Sequence, residues 1–255
     1  MKILLTNDDG FTAESVNVVF DILMANGYDV TLVAPERNCS GAGHSIAVYN
    51  PVTIHQISER IYCVASTPAD SVRLGLQYVY KDVANYPDLV ISGINMGENL
   101  SEDIYYSGTV GAAREGVLNG VSGLAFSTPG RQFNHLKAAA EIVLQLVELI
   151  KYNKNLLINK FLWNINIPNT ALENIKGFVA TTLGRRELHL PFEKQITPRG
   201  QTVYWQGDSG LIRLGAANSD VMVAKGGEYV SITPLEIFPT AHEQLSQLAE
   251  ILKQG

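Results

Sequence analysis

The run Lys2-Ile3-Leu4-Leu5-Thr6-Asn7-Asp8-Asp9-Gly10 decides how this chain is read. Residues 2–6 have strand composition, and they stop abruptly at four polar or turn-forming residues. Beyond them, 13–26 reads as a helix ending at Gly27, and 28–34 as a second strand. Strand, helix and strand in succession is α/β grammar, in which polar residues at a strand's end are candidates for chemistry.

The same alternation continues. A glycine-rich loop leads to strand-like stretches at 45–57 and 61–66. A helix at 68–80 follows, with Thr67 as cap, Pro68 at the first helical position and Asp70 near the positive end of the dipole. Then come a strand from Asp88 to Ile94, a helix at 109–119 closed by Gly120, a strand at 123–127, an amphipathic helix at 135–152, and strands at 161–167 and 177–183. A doubly wound, mostly parallel sheet over 1–183 is the simplest architecture.

From 184 the pattern changes. Thr197-Pro198-Arg199-Gly200 is a turn before the strand-like Gln201-Thr202-Val203-Tyr204-Trp205, which predicts a hairpin. A returning strand at 229–234 and a helix at 240–254 complete the 184–255 extension. That helix carries Leu245, Leu248 and Leu252 on one face and is expected to pack on its own domain, with a partner-binding role as the alternative.

Composition sets outer limits. The chain has 255 residues, 46% hydrophobic and 17% charged, enough for a large core in one domain or one domain with an appendage. Cys39 and Cys63 have no metal-ligand spacing and suggest no disulfide framework, which suits a reducing cytoplasm. A net charge of -6 argues against nucleic-acid polymers as partners, which need clustered Lys and Arg, but leaves room for a small phosphorylated ligand. No signal-like segment precedes Lys2 and no uncharged apolar run is long enough to span a bilayer, so a soluble protein without membrane partners is expected.

Four polar clusters fall just after predicted strands: Asn7-Asp8-Asp9-Gly10, Ser40-Gly41-Ala42-Gly43-His44-Ser45, Ser92-Gly93-Ile94-Asn95-Met96-Gly97, and Tyr106-Ser107-Gly108-Thr109. Each alone reads equally well as a turn, a flexible loop or a helix cap. Their recurrence at successive strand ends is what points to one site, since such loops share one edge of a parallel sheet. Asp8 and Asp9 offer anionic oxygen, Ser40 and Asn95 neutral oxygen, a set that suits hard Mg2+ or Mn2+. Such an ion would neutralise phosphate oxygens and activate water, with one aspartate accepting the proton. Ser107-Gly108-Thr109 opens a small-residue helix whose N-terminus and two hydroxyls make a seat for phosphate. Asn7, Gly41 and His44 complete the candidate substrate contacts, His44 being readable also as a bond to its own loop.

These segments resemble the SurE family, the stationary-phase survival proteins. The resemblance rests on Thr6-Asn7-Asp8-Asp9-Gly10, Val33-Ala34-Pro35, Ser40-Gly41, Thr67-Pro68-Ala69-Asp70, Ser92-Gly93-Ile94-Asn95 and Tyr106-Ser107-Gly108-Thr109-Val110. It extends through Gly184-Arg185-Arg186, Pro198-Arg199-Gly200, Tyr204-Trp205 and Val230-Ser231-Ile232-Thr233-Pro234. It implies a Rossmann-like core with a swapped or extended C-terminal part used in oligomerisation, and a homodimer or homotetramer. It also implies hydrolysis of 5'- and often 3'-nucleoside monophosphates, sometimes of short polyphosphate, with one divalent cation per subunit. The family's metal ligands fall on Asp8, Asp9, Ser40 and Asn95, and its phosphate contacts on Ser107, Gly108 and Thr109. The chain departs from the family pattern at Ala13-Glu14-Ser15 and at Thr197, neither among the ligands.

Other classes fit poorly. Gly41-Ala42-Gly43-His44-Ser45-Ile46 lacks the third small residue of a dinucleotide fingerprint and precedes a predicted strand, and no Walker-type phosphate loop occurs. A noncatalytic, metal-dependent nucleotide sensor is the alternative from a different class.

Overall fold

The computed structural model describes residues 1–130, 132, 134–186, 192–206, 212–213 and 215–253. In chain order the core runs β1 (Lys2–Thr6), α1 (Glu14–Ala25), β2 (Asp29–Pro35), β3 (Ile54–Ser58), β4 (Ile61–Val64), α2 (Pro68–Leu74), β5 (Leu89–Met96), α3 (Gly108–Leu118), β6 (Ser122–Thr128), α4 (Leu136–Tyr152), β7 (Leu162–Asn166) and β8 (Phe178–Ala180). The extension adds β9 (Arg185–Arg186), β10 (Phe192–Ile196), β11 (Thr202–Gln206), β12 (Ile212–Arg213), α5 (Asp220–Gly226), β13 (Val230–Leu235) and α6 (His242–Leu252).

Among the described residues nine strands form one sheet in the order β3-β4-β2-β1-β5-β6-β7-β13-β8. Pairings from β4 to β7 are parallel, and β3 and β13 run antiparallel to β4 and β7. The chain builds outward from β1 through β2 to β4, then crosses back to place β5 on the other side of β1. That reversal is a topological switch point, and it opens a crevice at the carboxyl ends of β1 and β5, where Thr6 pairs with Ser92.

Alternation along β1 explains the layers. Ile3 and Leu5 join Val16, Val19 and Leu23 of α1 and the apolar face of α4, while Leu4 joins Val72 of α2 and Ala112 of α3 on the opposite face. Helix α3 lies unusually close to the sheet because small residues face it. A Cβ on Gly123 would lie 2.2 Å from the Ala113 carbonyl oxygen, and one on Gly116 would lie 2.7 Å from the Val90 side chain.

Four features differ from the sequence expectation. Residues 45–53 form no strand: the Ser45 carbonyl and Ala47 N–H bond Thr67 Oγ1 and an Asp70 carboxylate oxygen instead of a neighbouring strand. The helix expected over 68–80 ends as α2 and continues through 75–80 as a π-helical turn. Helix α5 was not foreseen, although Ser219, whose hydroxyl accepts from Met222 N–H, is an ordinary cap signal. Helix α6 does not pack on its own domain: it has no buried residue, and Leu245, Leu248, Ile251 and Leu252 stay exposed.

The predicted hairpin is present as antiparallel β10 and β11, with Phe192, Tyr204 and Trp205 exposed. Buried Asp220 ties the extension to the core by accepting from the backbone N–H groups of Ser101, Gly184 and Val221. A methyl group at the tightest helix-to-sheet contact has nowhere to go. Gly123→Ala is therefore expected to cost about 1–3 kcal/mol of stability, measured by urea unfolding; an unchanged midpoint would mean that α3 can lift off the sheet freely.

Candidate active site

The site is built on the switch-point crevice. At the end of β1, Asn7 closes the turn: its Nδ2 donates to the Gly10 carbonyl and its Oδ1 accepts from Gly10 N–H. The side chain is fully buried and its amide serves the turn that presents the two aspartates.

Asp8 is 3% exposed and lies beneath the N-terminus of α3. Its Oδ1 accepts from Thr109 Oγ1 at 2.6 Å, and the Thr109 backbone N–H bonds the same carboxylate. Glycine at 108 makes this possible, because a Cβ there would stand 2.9 Å from Asp8 Cβ and 3.0 Å from its Oδ2. Burial nevertheless dominates and pushes the Asp8 carboxyl above its ordinary value, against these hydrogen bonds.

Asp9 is more open. Burial, and next the neighbouring Asp8 charge, push its carboxyl up to about 6, while the Met96 backbone N–H and the Asn38 side chain favour the charged form. Asn38 is the residue that sequence reasoning missed: its Nδ2 donates to Asp9 Oδ1 at 3.0 Å and its Oδ1 accepts from Ser40 N–H at 2.8 Å. The signal was an Asn two residues before a loop serine, the spacing of an Asx turn.

Ser40 is exposed, and the adjacent Cys39 N–H donates to the Asp8 carbonyl at 2.7 Å, anchoring this loop to β1. Gly41 is exposed with φ +77°, a left-handed turn position. Asn95 is half-buried at the end of β5. Its Nδ2 donates to the Gly97 carbonyl, which commits the amide nitrogen and leaves the carbonyl oxygen available to a cation.

The Thr109 hydroxyl donates to Asp8 Oδ1, because α3 lies directly over the end of β1, so this side chain positions a carboxylate. Ser107 Oγ accepts from Val110 N–H, leaving its proton to donate outward beside the Gly108 N–H. His44 also turns elsewhere: its Nε2 lies 2.7 Å from Glu115 Oε2 on α3.

The donor set fits a hard divalent ion. Two carboxylates held above their ordinary range by burial, and for Asp9 by the adjacent charge, gain from a neighbouring cation, and Asn95 and Ser40 add neutral oxygen. No group of three or more His, Cys, Asp or Glu that could hold a metal occurs among the described residues. A cation here would complete its shell with neutral ligands and water, as Mg2+ does.

The family model for the survival protein SurE matches residues 3–189. The chain belongs to the SurE family. Among SurE relatives, a protein of Vibrio cholerae serotype O1 named 5'-nucleotidase SurE is 42% identical over 254 residues, spanning 100% of this chain and 98% of its own. One of Aliivibrio fischeri with the same name is 40% identical, covering 99% and 95%. The crystal structure of the SurE protein from Aquifex aeolicus superposes with a TM-score of 0.81 at 35% identity, covering 98% of this chain and 99% of that one.

An acid whose folded pKa is raised destabilises the fold when ionised, fully above that pKa and not at all below the unfolded value near 3.9. In chelator-treated protein, Asp9→Asn is therefore expected to melt about 2 °C or more above wild type at pH 8, the gap closing as pH falls through about 6 toward 4. A lower melting temperature for the variant at pH 8 would contradict this electrostatic account.

Proposed function

We propose that this SurE-family chain is a phosphoric monoester hydrolase that removes phosphate from nucleoside 5'-monophosphates, using one Mg2+ or Mn2+ per subunit. The observation that carries the reading is the Asp8–Asp9 pair, crowded and partly desolvated, with Asp8 directly under the N-terminus of α3. The full-length relatives named 5'-nucleotidase support the substrate class. Acceptance of 3'-monophosphates and short polyphosphate belongs to the same proposal.

Asp8, Asp9, Ser40 and Asn95 would hold the ion, which when bound supplies charge neutralisation at the phosphate oxygens and acidifies water. Ser107 Oγ–H and the Gly108 N–H are the donors left to orient phosphate at the helix N-terminus. Asp9, the more exposed carboxylate, is the group that can accept a proton from the attacking water. In the overall step a water oxygen forms a bond to phosphorus and the bond from phosphorus to the ribose oxygen breaks, that oxygen leaving with a proton.

The reading includes a homodimer or homotetramer, supported by the exposed apolar face of α6 and the exposed aromatics of β10 and β11. A cytoplasmic location is supported by two free cysteines, and no helix among the described residues is long and apolar enough to cross a membrane. Light scattering is expected to give a mass of at least two 27.8 kDa chains; a single-chain mass would remove this part of the proposal.

Phosphate release from a panel of 5'- and 3'-nucleoside monophosphates, with Mg2+, Mn2+ or chelator, tests the activity. Release that needs metal and favours nucleotides is expected, whereas binding without release would establish a sensor. Thr109→Val should weaken Mn2+ affinity by about tenfold or more, since it removes a hydrogen bond to a ligand carboxylate. Ser107→Ala should raise KM with little effect on Mn2+; the reverse pattern would mean that the subsites are interchanged.

A further inference from the structure

Glu115 is a buried carboxylate that the proposed chemistry does not use. It lies six residues along α3 from Thr109, about 9 Å of helix rise, and is 8% exposed. His44 Nε2 lies 2.7 Å from its Oε2, Asn119 Nδ2 donates to its Oε1 at 2.9 Å, and Arg73 Nε of α2 is 3.6 Å from the same oxygen. Burial raises its carboxyl, but the His44 and Asn119 hydrogen bonds and the His44 and Arg73 charges outweigh burial and leave it below its ordinary value. An ionised carboxylate can only accept, so the His44 ring carries the proton at Nε2 and donates it.

The loop that His44 belongs to begins with Ser40 and has no sheet or helix of its own. Its upstream end is fixed to the aspartates through Asn38 and Cys39. Downstream, Gly43 N–H donates to the Tyr106 carbonyl at 2.9 Å, Ala47 N–H donates to Asp70 Oδ2 at 2.8 Å, and Thr67 Oγ1 donates to the Ser45 carbonyl at 2.7 Å. Gly43 also lies against α3 with no slack, since a Cβ on Gly111 would be 2.4 Å from the Gly43 oxygen. The His44 bond is charge-assisted and part-buried, the stronger class of hydrogen bond, and it ties a side chain of this loop to the helix carrying Ser107 and Thr109.

We propose that His44 is a positioning residue, latching the Ser40 loop onto α3 through Glu115 so that Ser40 is held at the aspartate pair, and that it makes no contact with substrate. The proposal rests on the reading of Ser40 as a cation ligand. It predicts that loop order, cation affinity and turnover fall together when the latch is cut, and that nucleotide affinity does not fall separately.

The test uses the full chain. Amide hydrogen exchange of Gly43 and Ala47 is measured in chelator, Mn2+ affinity by calorimetry without nucleotide, and kcat and KM with it. His44→Ala is expected to speed exchange at both amides and weaken Mn2+ binding, each by about tenfold, the equivalent of about 1.4 kcal/mol. It should lower kcat with KM little changed. His44→Gln, whose amide Nε2–H can donate to the same carboxylate, should restore most of both losses. Glu115→Ala should reproduce the His44→Ala signature, and the double variant should be no worse than either single one.

Wild-type exchange and Mn2+ affinity in His44→Ala, with KM raised about tenfold, would overturn the proposal and return His44 to the substrate contacts. Additive losses in the double variant would also overturn it. If His44→Ala does not fold, His44→Gln and Glu115→Ala carry the same comparison. Absence of Mn2+ binding by the wild-type chain would count against the cation-site reading alone, while the exchange rates still decide the latch.

Discussion

The carboxylate of Asp8 occupies the N-terminus of α3, and the site is arranged around that placement. A helix N-terminus carries unpaired N–H groups and the positive end of the dipole, so a carboxylate set there is stabilised where water has been excluded. Thr109 gives it two donors, yet burial still keeps the Asp8 carboxyl above its ordinary value. Asp9 stands beside it with its own burial and the charge of Asp8 against it, and has Asn38 and the Met96 N–H to offset them. The protein's own groups therefore leave both carboxylates with an electrostatic deficit. That deficit makes the crevice receptive to a cation, and the neutral oxygens of Ser40 and Asn95 are of a kind to complete its shell without adding further repulsion.

Such a placement requires backbone to approach backbone closely, which explains the small residues of α3. Gly123 and Gly116 let the helix lie on β6 and β5, Gly108 admits the Asp8 side chain, and Gly111 admits the Gly43 carbonyl. Each is a position where a methyl group would collide with something that cannot move far. The helix is thus fixed in height above the sheet, and the height determines whether Thr109 reaches Asp8. Catalytic geometry and core packing are coupled here through one element, so a packing defect beneath α3 would be felt at the aspartates.

How much of this was legible in the sequence differs by residue. The strand ends bearing Asp8, Asp9 and Asn95 were legible because their signal is local: an apolar run broken by polar and glycine residues, repeated along the chain. The topology then follows from alternation, since strands joined by helices build a parallel sheet with a switch point. Thr109 was ambiguous because Ser-Gly-Thr at a helix start reads equally as a phosphate seat or a cap. Only the height of α3 over β1, set by glycines at 116 and 123, decides where the hydroxyl donates. His44 was ambiguous for the same reason, its partner Glu115 being 71 residues away. Asn38 was within reach, as its Asx-turn spacing to Ser40 is local.

The C-terminal extension shows where periodicity stops being informative. The leucines of α6 fall on one face, and that pattern correctly predicts a helix with an apolar side. It does not encode what covers that side, and among the described residues nothing does: the face stays open, as do Phe192 and Trp205 of the hairpin. The core behaves differently, because β13 returns between β7 and β8 and Asp220 binds three backbone N–H groups from separate segments. One stretch of chain thus contributes both a strand that the central sheet needs and apolar surface that the sheet leaves uncovered. Since exposed apolar area of this kind is costly in water unless covered, the extension joins the stability of the core to whatever closes over α6.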